Sequence, residues 1–343
     1  MESRIGSSVL IALIIVFCSF GTAQDEFDIA LFFPGELGGV NPIEPPIREG
    51  MERVSEEFEN VTLRLVEGGP ASNWESTLMA LVASGQDELI ITCTDLMPQI
   101  IENINALFPE QRYVLLDSAA PELENVYSVV YSDEELGFLA GVVAGLLAAD
   151  EETSRDVAEP TVGLLAGTSY PQMDLRIHPG FEAGAAFVAP EAQALYAVVG
   201  DWNNPNRARD LALNMFSRGA TALLAVTGGG DAGIHRAAAE SDGYVIAVNT
   251  NQNDLQPGVI VASVLKRLDN TIFNVVETAL AGELPYGTVE TAGIASDAIS
   301  VAQDEHYEEH VPQAVREEVT RIEEAVRAGE IDVTQLVEEQ LQQ

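Results

Sequence analysis

The stretch Thr161–Val199, TVGLLAGTSYPQMDLRIHPGFEAGAAFVAPEAQALYAVV, decides the fold. Two short apolar runs rich in β-formers, Thr161–Ala166 and Ala194–Val199, flank an amphipathic stretch, Arg176–Val188. Strands that are apolar along both faces belong to parallel sheets covered by helices on both sides. The alternation continues with a helix over Pro205–Arg218, a strand over Ala222–Val226, a helix over Asp231–Glu240 and a strand over Tyr244–Val248. An earlier series has the same grammar. Its strands are Asp28–Phe33, Val61–Val66, Glu88–Cys93, Tyr113–Asp117 and Val126–Tyr131, and its helices are Ile43–Glu57, Trp74–Ser84 and Pro98–Leu107. Two such series in one chain predict two doubly wound α/β units.

Asp133–Ala149 (DEELGFLAGVVAGLLAA) separates the two series. Its acidic first turn suits a helix N-terminus, and its small residues permit close packing. An acidic, proline-containing loop, Asp150–Pro160, follows. Val264–Ala281 reads as a further long helix, then come short β-like pieces at Thr288–Ala292 and Ala298–Val301 and an acidic helical tail from Tyr307. A chain that leaves one unit, builds a second and returns makes a hinged pair. The expected division is residues 24–131 plus about 256–296 in lobe 1, and residues 132–255 plus about 297–343, tail included, in lobe 2.

Residues 1–23 read as an export signal. The apolar run Val9–Phe20 is too short to span a bilayer, and Gly21-Thr22-Ala23 supplies small residues for cleavage after Ala23. Cys18 offers lipidation as a rival route, with Phe17 bulky where a small residue is usual. The 343-residue chain carries a net charge of −39, which repels nucleic acid and anionic membrane alike. That charge suits a surface exposed to high external salt, where screening removes self-repulsion. Only Cys93 follows the leader, inside an apolar run, so no disulfide framework is expected and the thiol reads as buried and inert. His306 and His310 have the spacing of a helical metal pair, but their sequence neighbourhood offers only generic carboxylates as further ligands, and the expected reading is solvated surface.

In open α/β sheets, ligands bind beyond the carboxyl ends of the strands. The loops there are rich in Gly, Asn, Asp and Trp, which suits a hydrogen-bonding, stacking cleft and also ordinary turns. From them the candidate contacts are Asn41, Asn73, Trp74, Asp117, Met173, Trp202, Gly228, Asp231 and Asn249. Each tryptophan could stack on a flat heteroaromatic ring or pack in the core. Asp117 could accept from ring N–H groups or cap the next segment. Gly228-Gly229-Gly230 lacks the lysine of a phosphate loop, so close approach of backbone to a neutral ligand is an equal reading. Lys266 is the tenth candidate. It is the one lysine in the chain, beside fifteen arginines. A surface that does without lysine marks the remaining one for a place where a compact ammonium does what a guanidinium fork cannot; chance survival on a helix face is the plain alternative. No catalytic motif, metal set or cofactor fingerprint is evident.

Several stretches together resemble the basic membrane protein (purine nucleoside receptor) family of solute-binding proteins that serve ABC transporters. They are Asp133–Gly141, Gly180-Phe181-Glu182-Ala183-Gly184, Val199-Gly200-Asp201-Trp202-Asn203, Gly228-Gly229 and Ser263–Arg267. The resemblance implies a two-lobed periplasmic-binding-protein fold of the first type, closing on a small-molecule ligand at the hinge and delivering it to ABC permease subunits. It also implies a base-reading role for Asp117, an aromatic wall at Trp202 and a ribose-binding role for Lys266. Two positions depart from the family. Asn249 stands where its ribose aspartate falls, and Gly38-Gly39-Val40-Asn41-Pro42 replaces its Asp-Ser-Phe-Asn loop, leaving Trp74 as a substitute for the missing ring. The expectation is therefore an exported monomeric receptor for a purine nucleoside, with riboflavin second. An exported nucleoside hydrolase and a sensory receptor without a transport role are the alternatives.

Overall fold

The computed structural model describes residues 26–38, 43–155 and 157–342. The leader expected at 1–23, with Cys18, and the candidate Asn41 lie outside them. The first lobe contains β1 (Phe27–Phe33), β2 (Val61–Glu67), β3 (Leu89–Cys93), β4 (Arg112–Leu116) and β5 (Val126–Tyr131). The second contains β6 (Thr161–Ala166), β7 (Gln193–Val198), β8 (Ala222–Val226), β9 (Tyr244–Asn249) and β10 (Ile260–Lys266). Two late strands complete the sheets, β11 (Val289–Ala292) and β12 (Ile299–Val301). The strand orders are β11-β5-β4-β3-β1-β2 and β12-β10-β9-β8-β6-β7. Every pairing is parallel except β10 with β12. This is the expected two-lobed α/β class.

The chain passes between the lobes three times: from β5 into the helix Asp133–Ala149, from β10 into the helix Leu268–Leu280, and from β11 to β12. The second passage corrects the expected helix Val264–Ala281. Ile260–Lys266 is instead a strand, and the helix begins at Leu268. Ile260, Val261 and Val264 are β-branched and fully buried, on a strand that pairs with β9 over Ile260–Leu265, with a register shift between Ile260 and Ala262, and with β12 over Val264–Lys266. A short apolar run does not by itself tell a buried strand from a helix. Residues 260–266 therefore sit in the second sheet, and the chain returns to the first lobe at Arg267, later than the boundary near 256. There the helix Leu268–Leu280 packs on the helix Glu44–Glu57, with Arg53 Nη1 2.6 Å from Asn270 Oδ1 and 3.2 Å from Asp269 Oδ2.

The helix Asp133–Ala149 is buried along nearly its whole length. Its small residues work as the sequence suggests. Gly137 and Gly141 sit against the carbonyls of Ile177 and Phe181, and Gly184 returns the contact against Phe138. No room remains for a Cβ at these crossings. The acidic tail forms the helices Glu305–His310, Gln313–Arg327 and Val333–Leu341. Cys93 is buried, and burial with the nearby Asp117 charge pushes its thiol up to about 12, so it stays protonated.

Glu323, on the tail, accepts the Val301 N–H of β12 at 2.7 Å and is 6% exposed. Burial raises its pKa from 4.5 to about 7, partly offset by that hydrogen bond and by Arg327.

Two measurements check these statements. Gly141→Ala should destabilise the protein by about 2–3 kcal/mol in urea unfolding, through overpacking against Phe181; an unchanged midpoint would refute the crossing. A carboxyl raised on folding binds its proton more tightly in the native state, so the Glu323 contribution is intact below about 4.5 and is lost as pH rises towards 7. Glu323→Gln should then become the more stable protein above pH 7, by up to about 3 kcal/mol, with the difference vanishing near pH 4.

Candidate ligand-binding cleft

Lys266 is the last residue of β10, and its side chain reaches the gap between the carboxyl ends of the two sheets. Its Nζ lies 3.0 Å from Asp117 Oδ1 and 3.2 Å from Asp133 Oδ1. Asp117 follows β4 on the first lobe. Asp133 opens the helix that enters the second. The pair with Asp117 therefore spans the lobes. The Tyr131 ring adds a cation–π contact, its centroid 5.6 Å from Nζ. Burial works against the ammonium, but the two carboxylates outweigh it and hold the lysine well above its ordinary pKa, so it stays charged.

The partners differ in exposure. The Lys266 and Asp133 side chains are 13% and 15% exposed, and that of Asp117 is 46% exposed. Asp117 is thus the partner that can exchange the ammonium for another donor at low desolvation cost, while Asp133 keeps Lys266 in place. Its backbone is left-handed, φ 53°, and so is that of Asn249 on the facing lobe, φ 73°. Asp and Asn are among the few non-glycine residues that tolerate this turn, which ends each strand abruptly and leaves the side chain at its tip. Thr94, after β3, has φ 89°, a strained conformation for a β-branched residue, and its hydroxyl has no hydrogen-bond partner.

These groups line a cavity of about 500 Å³ that includes Asp95, Asp117, Tyr131, Asp133, Tyr170, Asn249 and Lys266. Arg176, also in its wall, is paired with Glu134 at 2.7 Å. A larger cavity, about 670 Å³, lies at the amino ends of the first sheet's strands, beside Phe27, Phe108 and Tyr286. It is mostly apolar and at the wrong end of the sheet for a ligand of this fold class.

Sequence-selected residues fall into three groups. Asp117, Asn249 and Lys266 meet in the cleft. Trp202 stands beside it, 38% exposed, against Gly167, with its ring centroid 5.9 Å from that of the cleft-lining Tyr170. Gly228 lies by the Trp202 backbone. The others are placed elsewhere. Trp74 spends its indole N–H on the Gly69 carbonyl at 2.8 Å and packs against the first lobe's core, with Asn73 exposed next to it. Met173 is fully buried. Asp231 accepts from Thr227 N at 2.9 Å and Thr227 Oγ1 at 2.6 Å, which ties down the turn after β8.

Asp133 and Tyr170 were not among the sequence candidates. Asp133 reads as one acid of a helix first turn; its place two residues after β5, at the carboxyl end of the sheet, is the signal that could have marked it. Tyr170 lies in the loop after β6, three residues before the buried candidate Met173.

A family model described as ABC transporter substrate-binding protein PnrA-like (Bmp) matches residues 27–332. The chain belongs to that family. The PnrA-like family comprises solute-binding proteins, and two of the curated relatives illustrate its spread. The CD4+ T-cell-stimulating antigen of Listeria monocytogenes is 25% identical, covering 76% of this chain and 74% of that protein. The ABC transporter nucleoside-binding protein BmpA of Lactococcus lactis is 23% identical, covering 57% and 58%. Among solved structures, an ABC transporter solute-binding protein from Conexibacter woesei superposes with a TM-score of 0.70 at 20% identity, covering 89% of this chain and 98% of that one. One from Aeropyrum pernix gives 0.65 at 23% identity, covering 92% and 90%. These two likenesses show the fold. No helix among the described residues is long and apolar enough to cross a membrane.

The two tryptophans of the chain should separate by fluorescence. A Trp74→Phe protein, emitting from Trp202, should be red-shifted and strongly quenched by acrylamide; a Trp202→Phe protein should be blue-shifted and protected. The reverse order would contradict the placement of both rings.

Proposed function

We propose that this chain is the exported receptor of an ABC importer and that it takes an uncharged nucleoside-like ligand, a purine nucleoside first and riboflavin second. The observation that carries the reading is the Lys266 ammonium facing Asp117 across the cleft, with Asn249 at the opposite strand tip and the Tyr170–Trp202 pair alongside. Asp117 can accept from ring N–H groups. Lys266 presents donors to adjacent hydroxyls, and the Asn249 amide can both donate and accept. The exposed indole offers a flat face to a ring. The name of the Lactococcus lactis relative supports the nucleoside class. Asn249 is neutral where the family's ribose aspartate is expected, and this substitution keeps riboflavin, with its polyol chain, in view.

Ligand would replace the Asp117–Lys266 contact with contacts of its own to both lobes and so favour the closed arrangement. Export by the leader at residues 1–23, anchoring through Cys18 as the lipid alternative, and life in high salt remain parts of this proposal, supported by sequence and charge. So does action as a monomer that docks on permease subunits. The family's solute-binding character supports binding without a chemical step.

Isothermal calorimetry with guanosine, adenosine, inosine and riboflavin is the test. At least one should bind 1:1, and Lys266→Met should weaken it by about 1.5–3 kcal/mol, as expected when a charged hydrogen-bonding partner is lost. No binding of any of the four would sink the ligand class. Binding that survives Lys266→Met unchanged would remove Lys266 from the site.

A further inference from the structure

The helix Glu305–His310 lies on the second lobe near the start of β10, where Gly258 packs against the His310 ring. Lys266 is at the other end of the seven-residue strand, roughly 20 Å away at the usual rise per residue. We propose that His306, Glu309 and His310 form a site for a divalent transition-metal ion of the zinc type, separate from the ligand cleft.

Three observations carry the proposal. The first is geometry. His306 and His310 are one helical turn apart and Glu309 lies between them on the same face. One ligand atom from each lies within 4.8 Å of the others. Donors on one tetrahedral zinc are roughly 3.3 Å apart, from its usual bond lengths, so small side-chain rotations bring all three to one centre. Two imidazoles and a carboxylate form a set that favours zinc over calcium or magnesium, which prefer oxygen alone. Water would complete the coordination.

The second is an unspent nitrogen. His306 Nδ1 is closed off from solvent and has no hydrogen-bond partner among the described residues. A buried polar atom without a partner calls for an explanation, and a bound ion is one.

The third is the platform. Asp304 caps the helix by accepting the Tyr307 N–H at 2.8 Å, and its carboxylate also accepts from Asn251 and from Asn253 at 3.1 Å. Asn253 is fully buried. The histidine side chains are 25% and 28% exposed, so they are held against the protein yet open to an incoming ion.

The experiment is metal binding by the intact protein. Calorimetry with zinc chloride should show one tight site, and the melting temperature should rise with zinc, as linkage requires. Magnesium at the same concentration should do neither. His306→Ala and His310→Ala should each weaken zinc by more than about tenfold, with a smaller loss for Glu309→Gln. Cobalt(II) added to the wild-type protein should give the visible spectrum of a tetrahedral nitrogen-ligated ion, a readout independent of any variant's folding. Full zinc affinity in the His306→Ala/His310→Ala double variant would mean that the acidic surface binds the metal, and would overturn the proposal. An octahedral cobalt spectrum identical to that of the free aquo ion would also overturn it.

Discussion

One ammonium between two carboxylates organises the cleft. Lys266 could not hold its charge so far out of water without Asp117 and Asp133, and these two acids reach it from different directions. Asp133 is set by the first passage of the chain between lobes, Lys266 by the second, and Asp117 by the tip of a first-lobe strand. The geometry of the ion cluster is therefore a record of how the lobes sit on one another. A rigid lobe-crossing helix is a precondition. The glycine contacts of Asp133–Ala149 with the helix His178–Val188 lock its direction, and its first residue is the carboxylate that anchors the lysine.

The cluster also biases chemistry. Among the described residues, Asp95, Asp117 and Asp133 line the cavity with Lys266, while Arg176 in the same wall is paired with Glu134. Such a wall favours neutral ligands rich in N–H and O–H groups over anions. Its uneven exposure gives it direction. Asp117 is the more exposed partner, so giving up its contact with Lys266 strands no buried charge.

The fold was legible because apolar strands and amphipathic helices alternate twice, and that periodicity needs no tertiary information. The helix reading of Val264–Ala281 failed for a local reason: an apolar segment with buried β-branched residues next to a true helix has no internal punctuation. That error mattered, because it put Lys266 on a helix face when it stands at a strand tip. The lining of the candidate cleft was legible where a residue type is rare or ends a strand, as with Lys266, Asp117 and Asn249. It was illegible where ring orientation decides. Trp74 and Trp202 have similar sequence settings, yet one is committed to a backbone carbonyl and the other stays open. Asp133 was hidden by its own plausibility as a helix-starting acid.

The single lysine allows a direct test. Protein grown with lysine labelled at 13Cε and 15Nζ carries one reporter, at Lys266. The account predicts one side-chain signal, sheltered from exchange, that shifts when a purine nucleoside or riboflavin saturates the protein. A signal with the shift and exchange rate of free lysine, or one that stays put while calorimetry shows the ligand bound, would contradict it.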